Sequence, residues 1–432
     1  MNFKTLLTRI CAAALLAPPL LGMGSAPPAP LQLRYVVIVT RHGVRSPTWP
    51  PERLAPYATE PWPDWGVPPG NLTQRGRALM VLLGTYYREW LTAEHVLSAS
   101  GCEDAERVFV HADTDQRTLE TGRALAESLL PGCGVAIHSA PEGTHDLLFN
   151  PAPVISAEPV LDAAARAVRQ AVGSDTKQFA EKYRNAFVLL EKVLAGVGTP
   201  SKPIEPPAGV TVIAARRGME LSEPFALASS LSEDLLLEYT DGMRGRDLGW
   251  GRLDESTLLQ ILQLHTVYGE LTRRTPELAR LRGSNLLDHV RQSLEQAESG
   301  IAVPGAIGPP PTRVLIVVGH DTNILNLAGM LGLSWHLPGY PAEETPPGGA
   351  LIFSLWQSAG HWSVRTEYLA QSLDQMRDAS PLSLAAPPEK QDVRPSGCPQ
   401  ATQGADCAWA TFMQSLRDAI NPQFVAPLSP AP

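Results

Sequence analysis

The residues best suited to chemistry fall in one short run, Arg41-His42-Gly43-Val44-Arg45-Ser46-Pro47. It sets an imidazole between two guanidiniums, which stay charged at every working pH. Arginine forks match phosphate oxygens in pairs, and a histidine held against a bound phosphoryl group can attack its phosphorus. Gly43 is expected to let the chain turn sharply and let an anion come close. Two later segments carry groups of the same kind, Asp113-Thr114-Asp115-Gln116-Arg117-Thr118 and His320-Asp321-Thr322-Asn323. Each group alone has a plain alternative: exposed basic residues at a strand end, a surface arginine, or a turn and helix cap. Together they supply a nucleophile, cations for an anion, and an acid.

Each group needs an element behind it. The apolar run Tyr35-Val36-Val37-Ile38-Val39-Thr40 reads as a short buried strand. Residues 107–112 and 313–319 read the same way, and each leads through a polar turn into a helix. Strand, turn, helix is where an α/β sheet presents its ligands. Arg117 falls in the first turn of its helix, near free N–H groups, and Thr322 or Asp321 is expected to cap the other helix. A helix is expected over 74–91, with Leu79, Leu82, Leu83, Tyr86 and Trp90 facing the sheet. Residues 349–357 and 362–370 read as paired strands joined near Gly360, and 407–420 as a closing helix. Alternating strands and helices give an α/β class, and 432 residues allow two lobes. The stretch from about 152 to 250 differs, with helical patterns at 158–172, 176–196 and 225–239 around a Pro-rich connector, Pro200 to Pro207.

RHGVRSP and GHDTN, with ADTDQRT between them, resemble the histidine acid phosphatases, the branch of the histidine phosphatase superfamily that includes bacterial phytases and glucose-1-phosphatase. The resemblance extends through Trp62-Pro63-Asp64-Trp65, Asn71-Leu72-Thr73-Gln74-Arg75-Gly76, Leu148-Phe149-Asn150-Pro151, Gly249-Trp250-Gly251, Arg274-Thr275-Pro276-Glu277, Thr345-Pro346-Pro347-Gly348-Gly349 and Gln375-Met376-Arg377. It implies a phosphoglycerate-mutase-like sheet flanked by helices, built from 27–151 and 251–432, with a smaller helical cap inserted at 152–250. It also implies that His42 attacks phosphorus, that Arg41, Arg45, Arg117 and His320 hold the non-bridging oxygens, and that Asp321 protonates the leaving alkoxide and later helps activate water. The roles suit phosphoryl transfer, which needs mainly positioning and charge stabilisation. Neighbouring positive charge keeps His42 neutral in acid, and a carboxyl acid stays protonated there, so an acidic optimum is expected.

Residues 1–26 read as a secretory signal peptide. Lys4 and Arg9 precede an apolar stretch, Ile10 to Leu21, too short to span a bilayer. No lipoprotein pattern surrounds Cys11. The other four cysteines allow three pairings, and an even count in an exported chain points to disulfides. The local pairing is Cys102 with Cys133 and Cys398 with Cys407, which the resemblance supports. The formal charge of −9 argues against nucleic acid as a partner, while a local arginine cluster can still dominate its own pocket. The ten histidines show no zinc spacing, and no metal or other cofactor is expected. The expected protein is periplasmic or secreted, monomeric, free of the membrane after cleavage, with a frayed tail at 422–432.

The substrate is less sharply written. Thr322 and Asn323 match the phytase version of the motif, whereas glucose-1-phosphatases tend to carry Ser at position 322. Thr48 matches a substrate contact in bacterial phytases, but Trp49 stands where those have Lys. Trp49 is then open to stacking on a sugar ring or packing under the cap. Arg282 matches a phytase arginine that meets a distal phosphate, and Glu233 a phytase glutamate, while Leu237-Glu238-Tyr239 looks more like glucose-1-phosphatase. The expectation is a phytase of some breadth. The alternatives are a sugar-phosphate phosphatase, a mutase-type transfer enzyme, and an inactive binding relative, the last disfavoured by the intact His42, Asp321 and arginines.

Overall fold

The computed structural model describes residues 30–141, 144–151, 158–215, 218–221, 223–399 and 406–428. The expected leader, Cys11 and the last four residues of the tail lie outside these. Ten strands are named here in chain order: β1 (Gln32–Arg41), β2 (Val108–Ala112), β3 (Ile137–His138), β4 (Val212–Ala215), β5 (Gly218–Leu221), β6 (Val314–Gly319), β7 (Ala350–Ser358), β8 (His361–Ala370), β9 (Glu389–Asp392) and β10 (Cys407–Ala408). The main sheet runs β10-β8-β7-β1-β6-β2-β3, with β9 on β8. Its central strands β1, β6 and β2 are parallel, and β7 joins β1 antiparallel. β6 is buried along its whole length, as the middle strand of a sheet covered on both faces must be.

Alternation along β1 divides the core. Val36 and Ile38 pack on one face with Met80, Leu83, Tyr86 and Tyr87, from the helix Gln74–Ala93, and with Leu125 and Leu129 from the helix Gln116–Leu129. Tyr35, Val37 and Val39 pack on the other face, with Leu286 and Val290 of Pro276–Ser299, Leu327 of Asp321–Leu331 and Phe412 of Trp409–Ala419. In the first of these helices Leu79, Leu83 and Tyr86 are buried as expected, but Leu82 and Trp90 are only half-buried. Met80 and Tyr87 are buried in their place, in the cluster that holds Val36 and Ile38.

Helices at Glu158–Val172, Thr176–Glu181, Arg184–Ala195 and Phe225–Thr240 follow the sequence pattern closely. The hairpin β4–β5 between them was not legible in it. The apolar side chains of these helices, among them Phe187, Leu190, Leu231 and Leu235, continue the core of the second sheet face. Disulfides join Cys102 to Cys133 and Cys398 to Cys407. Among the described residues no helix is long and apolar enough to cross a membrane.

Candidate active site

Register brings the reactive residues together. Arg41 at the end of β1 pairs with Gly319 at the end of β6, and the His42 N–H donates to the Gly319 carbonyl at 3.0 Å. Parallel strands end at one edge, so His42, His320 and the start of the helix after β2 meet there. The His42 and His320 rings lie 5.5 Å apart, edge to face. Gly43 serves differently from expectation. Its φ is not in the left-handed region; a Cβ there would meet Met80, Leu72 and the Gly76 carbonyl at 2.9–3.1 Å, so the residue lets the loop lie flat on the helix Gln74–Ala93.

His42 is 2% exposed, and its Nδ1 lies 2.8 Å from the Gly43 carbonyl. A carbonyl can only accept, so Nδ1 carries the proton and the lone pair is on Nε2. Burial and then the charges of Arg117, Arg41, His320 and Arg45 hold this imidazole well below its ordinary pKa. The ring therefore keeps its Nε2 lone pair in acid. Arg41 is fully buried and donates to the Thr345 carbonyl and to Glu233. Arg45 reaches the other Glu233 oxygen at 3.0 Å. Glu233, on the helix Phe225–Thr240, thus lays both carboxylate oxygens on two guanidiniums of the cluster.

Arg117 lies in the first turn of its helix, as expected. One nitrogen is 2.6 Å from Asp115 and 2.8 Å from His320 Nε2, and the other donates to the Gly70 carbonyl at 3.4 Å. His320 also stands 3.5 Å from Asp113 and 3.0 Å from Asp115. Asp113 is fixed by the Thr114 N–H and the Asn150 amide, each at 2.8 Å. Ligand atoms of Asp113, Asp115 and His320 lie within 4.8 Å of one another. Arg117 already supplies the positive charge at that cluster, which disfavours a metal ion there.

The helix after β6 begins at Asp321, but its cap is His320, not Thr322 or Asp321. Asn323, expected in the substrate pocket, is buried structure instead: its Oδ1 accepts the His320 N–H at 2.9 Å and its Nδ2 donates to the Phe149 carbonyl at 3.0 Å. A residue three positions into a helix reaches back to the cap more readily than out to a ligand. Thr322 is half-buried beside it. Burial would raise the Asp321 carboxyl, but Arg41, His265, His320 and Arg273 outweigh it and hold the group well below the carboxylate range. His265 and Arg273 were not singled out in the sequence. His265 stands 4.0 Å from Asp321 and 3.3 Å from Glu344.

The outer pocket residues divide. Thr48 is exposed, and Gly70 lies between it and Arg117. Trp49 is half-buried, with Tyr57 6.3 Å away and the Arg53 guanidinium 3.6 Å above its ring. That face is therefore already taken by a cation. Arg282, on Pro276–Ser299, donates to the Thr272 carbonyl at 3.2 Å, and Arg273 donates to the same carbonyl at 3.1 Å. The likeness at Leu237-Glu238-Tyr239 carries nothing about substrate, because all three are buried and Glu238 accepts the Gly249 N–H at 2.8 Å.

A buried histidine ringed by arginines at the edge of such a sheet defines a histidine phosphatase. Residues 32–369 match the histidine phosphatase superfamily (branch 2), and the chain belongs to that family as a phosphomonoester hydrolase. It is similar to phytase AppA of Escherichia coli, 35% identical over 91% of this chain and 93% of that one. It also resembles glucose-1-phosphatase of Providencia rettgeri, 28% identical over 98% and 100%. The Hafnia alvei phytase solved with tartrate superposes with a TM-score of 0.84 at 32% identity, over 93% of this chain and 100% of that chain.

Proposed function

We propose that this protein hydrolyses phytate and related phosphomonoesters through a phosphohistidine at His42. The polyphosphate reading is carried by Arg273, which acts on Asp321 at the mouth of the arginine cluster, together with the likeness to bacterial phytases. A guanidinium beside the acid is placed to meet a second phosphate on the same substrate, and Arg53 on Trp49 offers a further cation at the rim.

The reaction runs in two displacements. His42 Nε2 attacks phosphorus, forming a P–N bond as the ester P–O bond breaks. Arg41, Arg45, Arg117 and His320 hold the three non-bridging oxygens, and the Glu233 carboxylate withdraws from Arg41 and Arg45 to admit them. Asp321 gives its proton to the leaving oxygen. The arginines that depress Asp321 are partly neutralised by the phosphoryl charge, so its protonation is favoured in the complex. Water then attacks phosphorus, Asp321 takes up its proton, and His42 is released. The helices from 158 to 240 act as a cap over this edge. All these groups come from one chain, which fits a monomer, and two disulfides fit a periplasmic or secreted enzyme.

The test is phosphate release at acidic pH, with chelator present, from phytate and glucose 1-phosphate in parallel. Higher kcat/KM on phytate supports the proposal. Preference for glucose 1-phosphate would replace phytase by sugar-phosphate phosphatase.

A further inference from the structure

His265 and Glu344 have no part in the mechanism above, yet both are buried, and His265 stands between Glu344 and Asp321. The Glu344 side chain is 0% exposed. Its carboxylate meets His265 Nδ1 at 3.3 Å and accepts the Thr345 N–H at 3.1 Å. The Thr345 carbonyl in turn accepts from Arg41. On the far side of the imidazole, Nε2 faces Asp321 Oδ2 at 4.0 Å. This is beyond a hydrogen bond and within the range of a strong charge effect.

We propose that Glu344 and His265 are positioning residues for the reaction, with Glu344 holding His265 as an imidazolium that governs the charge and orientation of Asp321. The inference rests on the reading of Asp321 as the proton donor. A carboxylate sealed from water needs a charged partner, and His265 is the cation in contact with Glu344 among the described residues. Burial opposes the proton on His265, but Glu344, then Glu233 and Asp321, outweigh it and bring the group up to about 9. The charges facing this triad are Glu233, Arg41, Arg273 and His320, which also act on Asp321 or His265. His265 therefore stays charged throughout the acid and neutral range. It stabilises Asp321 as a carboxylate just after the proton has gone to the leaving group, and keeps that carboxylate ready as base for the water.

The sign of the effect follows. Removing a neighbouring cation raises a carboxyl pKa, here by roughly one unit or more. Glu344→Gln and His265→Gln should each move the alkaline limb of the kcat profile for glycerol 2-phosphate to higher pH by about that much. The double variant should shift it no further than His265→Gln alone. Hydrolysis of p-nitrophenyl phosphate, whose leaving group needs little protonation, should show a smaller shift. Folded variants with lower kcat on both esters and an unmoved limb would overturn the proposal, since a purely structural role gives that result. Asp321→Asn, run alongside, separates the two claims: if it fails to discriminate between the esters, the proton-donor reading falls first. Nitrogen-15 NMR of the wild-type imidazoles needs no variant. One imidazolium signal should persist above pH 8, and deprotonation of every histidine by that pH would contradict the proposal.

Discussion

The Glu233 carboxylate occupies the two guanidiniums proposed to take the phosphoryl group, so Glu233→Gln should tighten anion binding. Each carboxylate oxygen makes a charge-assisted contact, one to Arg41 and one to Arg45. Such bonds contribute roughly 1.5–3 kcal/mol each. Glutamine keeps one acceptor and loses the charge, so an incoming anion is spared about one such bond, or roughly 10-fold to 150-fold in affinity. Sulfate is the right probe, because, unlike phosphate, it stays a dianion through the moderately acid range. It is read as a competitive inhibitor of p-nitrophenyl phosphate hydrolysis. The variant should also melt lower, since taking one partner from a buried pair costs up to about 3–5 kcal/mol, and sulfate should restore more of its Tm than it adds to the wild type. The pH dependence has a definite sign. Burial would raise Glu233, but Arg45, Arg41 and His265 outweigh it and hold it below its ordinary value. A depressed carboxyl stabilises the free enzyme above its unfolded pKa, and that stability is lost as pH falls through the folded value. Wild-type sulfate affinity should therefore rise as pH falls through the moderately acid range, and the variant's should rise less. Unchanged affinity together with an unchanged pH slope would refute this account of the anion site.

Asp321→Asn should slow esters with poor leaving groups by at least about 100-fold, as general acids typically contribute, and p-nitrophenyl phosphate much less; equal losses would remove Asp321 from the acid role. Arg273→Ala should lower kcat/KM on phytate about 10-fold, or 1.4 kcal/mol, with little change on p-nitrophenyl phosphate, while a loss confined to thermal stability would make it structural. Replacing Cys102 and Cys133 by Ser opens a loop of 31 residues, which on the chain-entropy model removes roughly 3–4 kcal/mol, seen as a lower Tm with a near-normal KM. Activity should be highest in acid, since His42 stays neutral there and Asp321 must carry a proton; a rate climbing steadily from pH 5 to pH 9 would contradict that.

The legible part of the fold was local. Apolar runs ending in Arg41-His42 and Gly319-His320 marked two strand ends, and parallel pairing then placed those ends side by side. Helix periodicity located the segments between 158 and 240 to within a few residues. What escaped depends on contacts between distant parts of the chain. Glu344 is 79 residues from His265, and Glu233 is 192 from Arg41, and neither pairing has a periodic signature. Asn323 looked like a ligand contact by motif, yet the helix start claimed its Oδ1 and the distant Phe149 carbonyl its Nδ2. Arg273 looked like a neighbour of the more familiar Arg274. Only the irregular turn Glu270–Arg274 before the helix Pro276–Ser299 brings it toward Asp321. Trp49 hid its partner Arg53, four residues on, because the short helix Pro51–Leu54 that carries Arg53 has no apolar period to read.

The central claim is covalent catalysis by His42, and the stereochemical course at phosphorus tests it most directly. An ester carrying a chiral [16O,17O,18O]phosphoryl group would be turned over with an alcohol acceptor present, and the configuration of the product read by phosphorus NMR. Two in-line displacements through phosphohistidine predict overall retention, lost together with all turnover in His42→Ala. Inversion would mean that the acceptor attacks the bound ester directly, and His42 would no longer be the nucleophile.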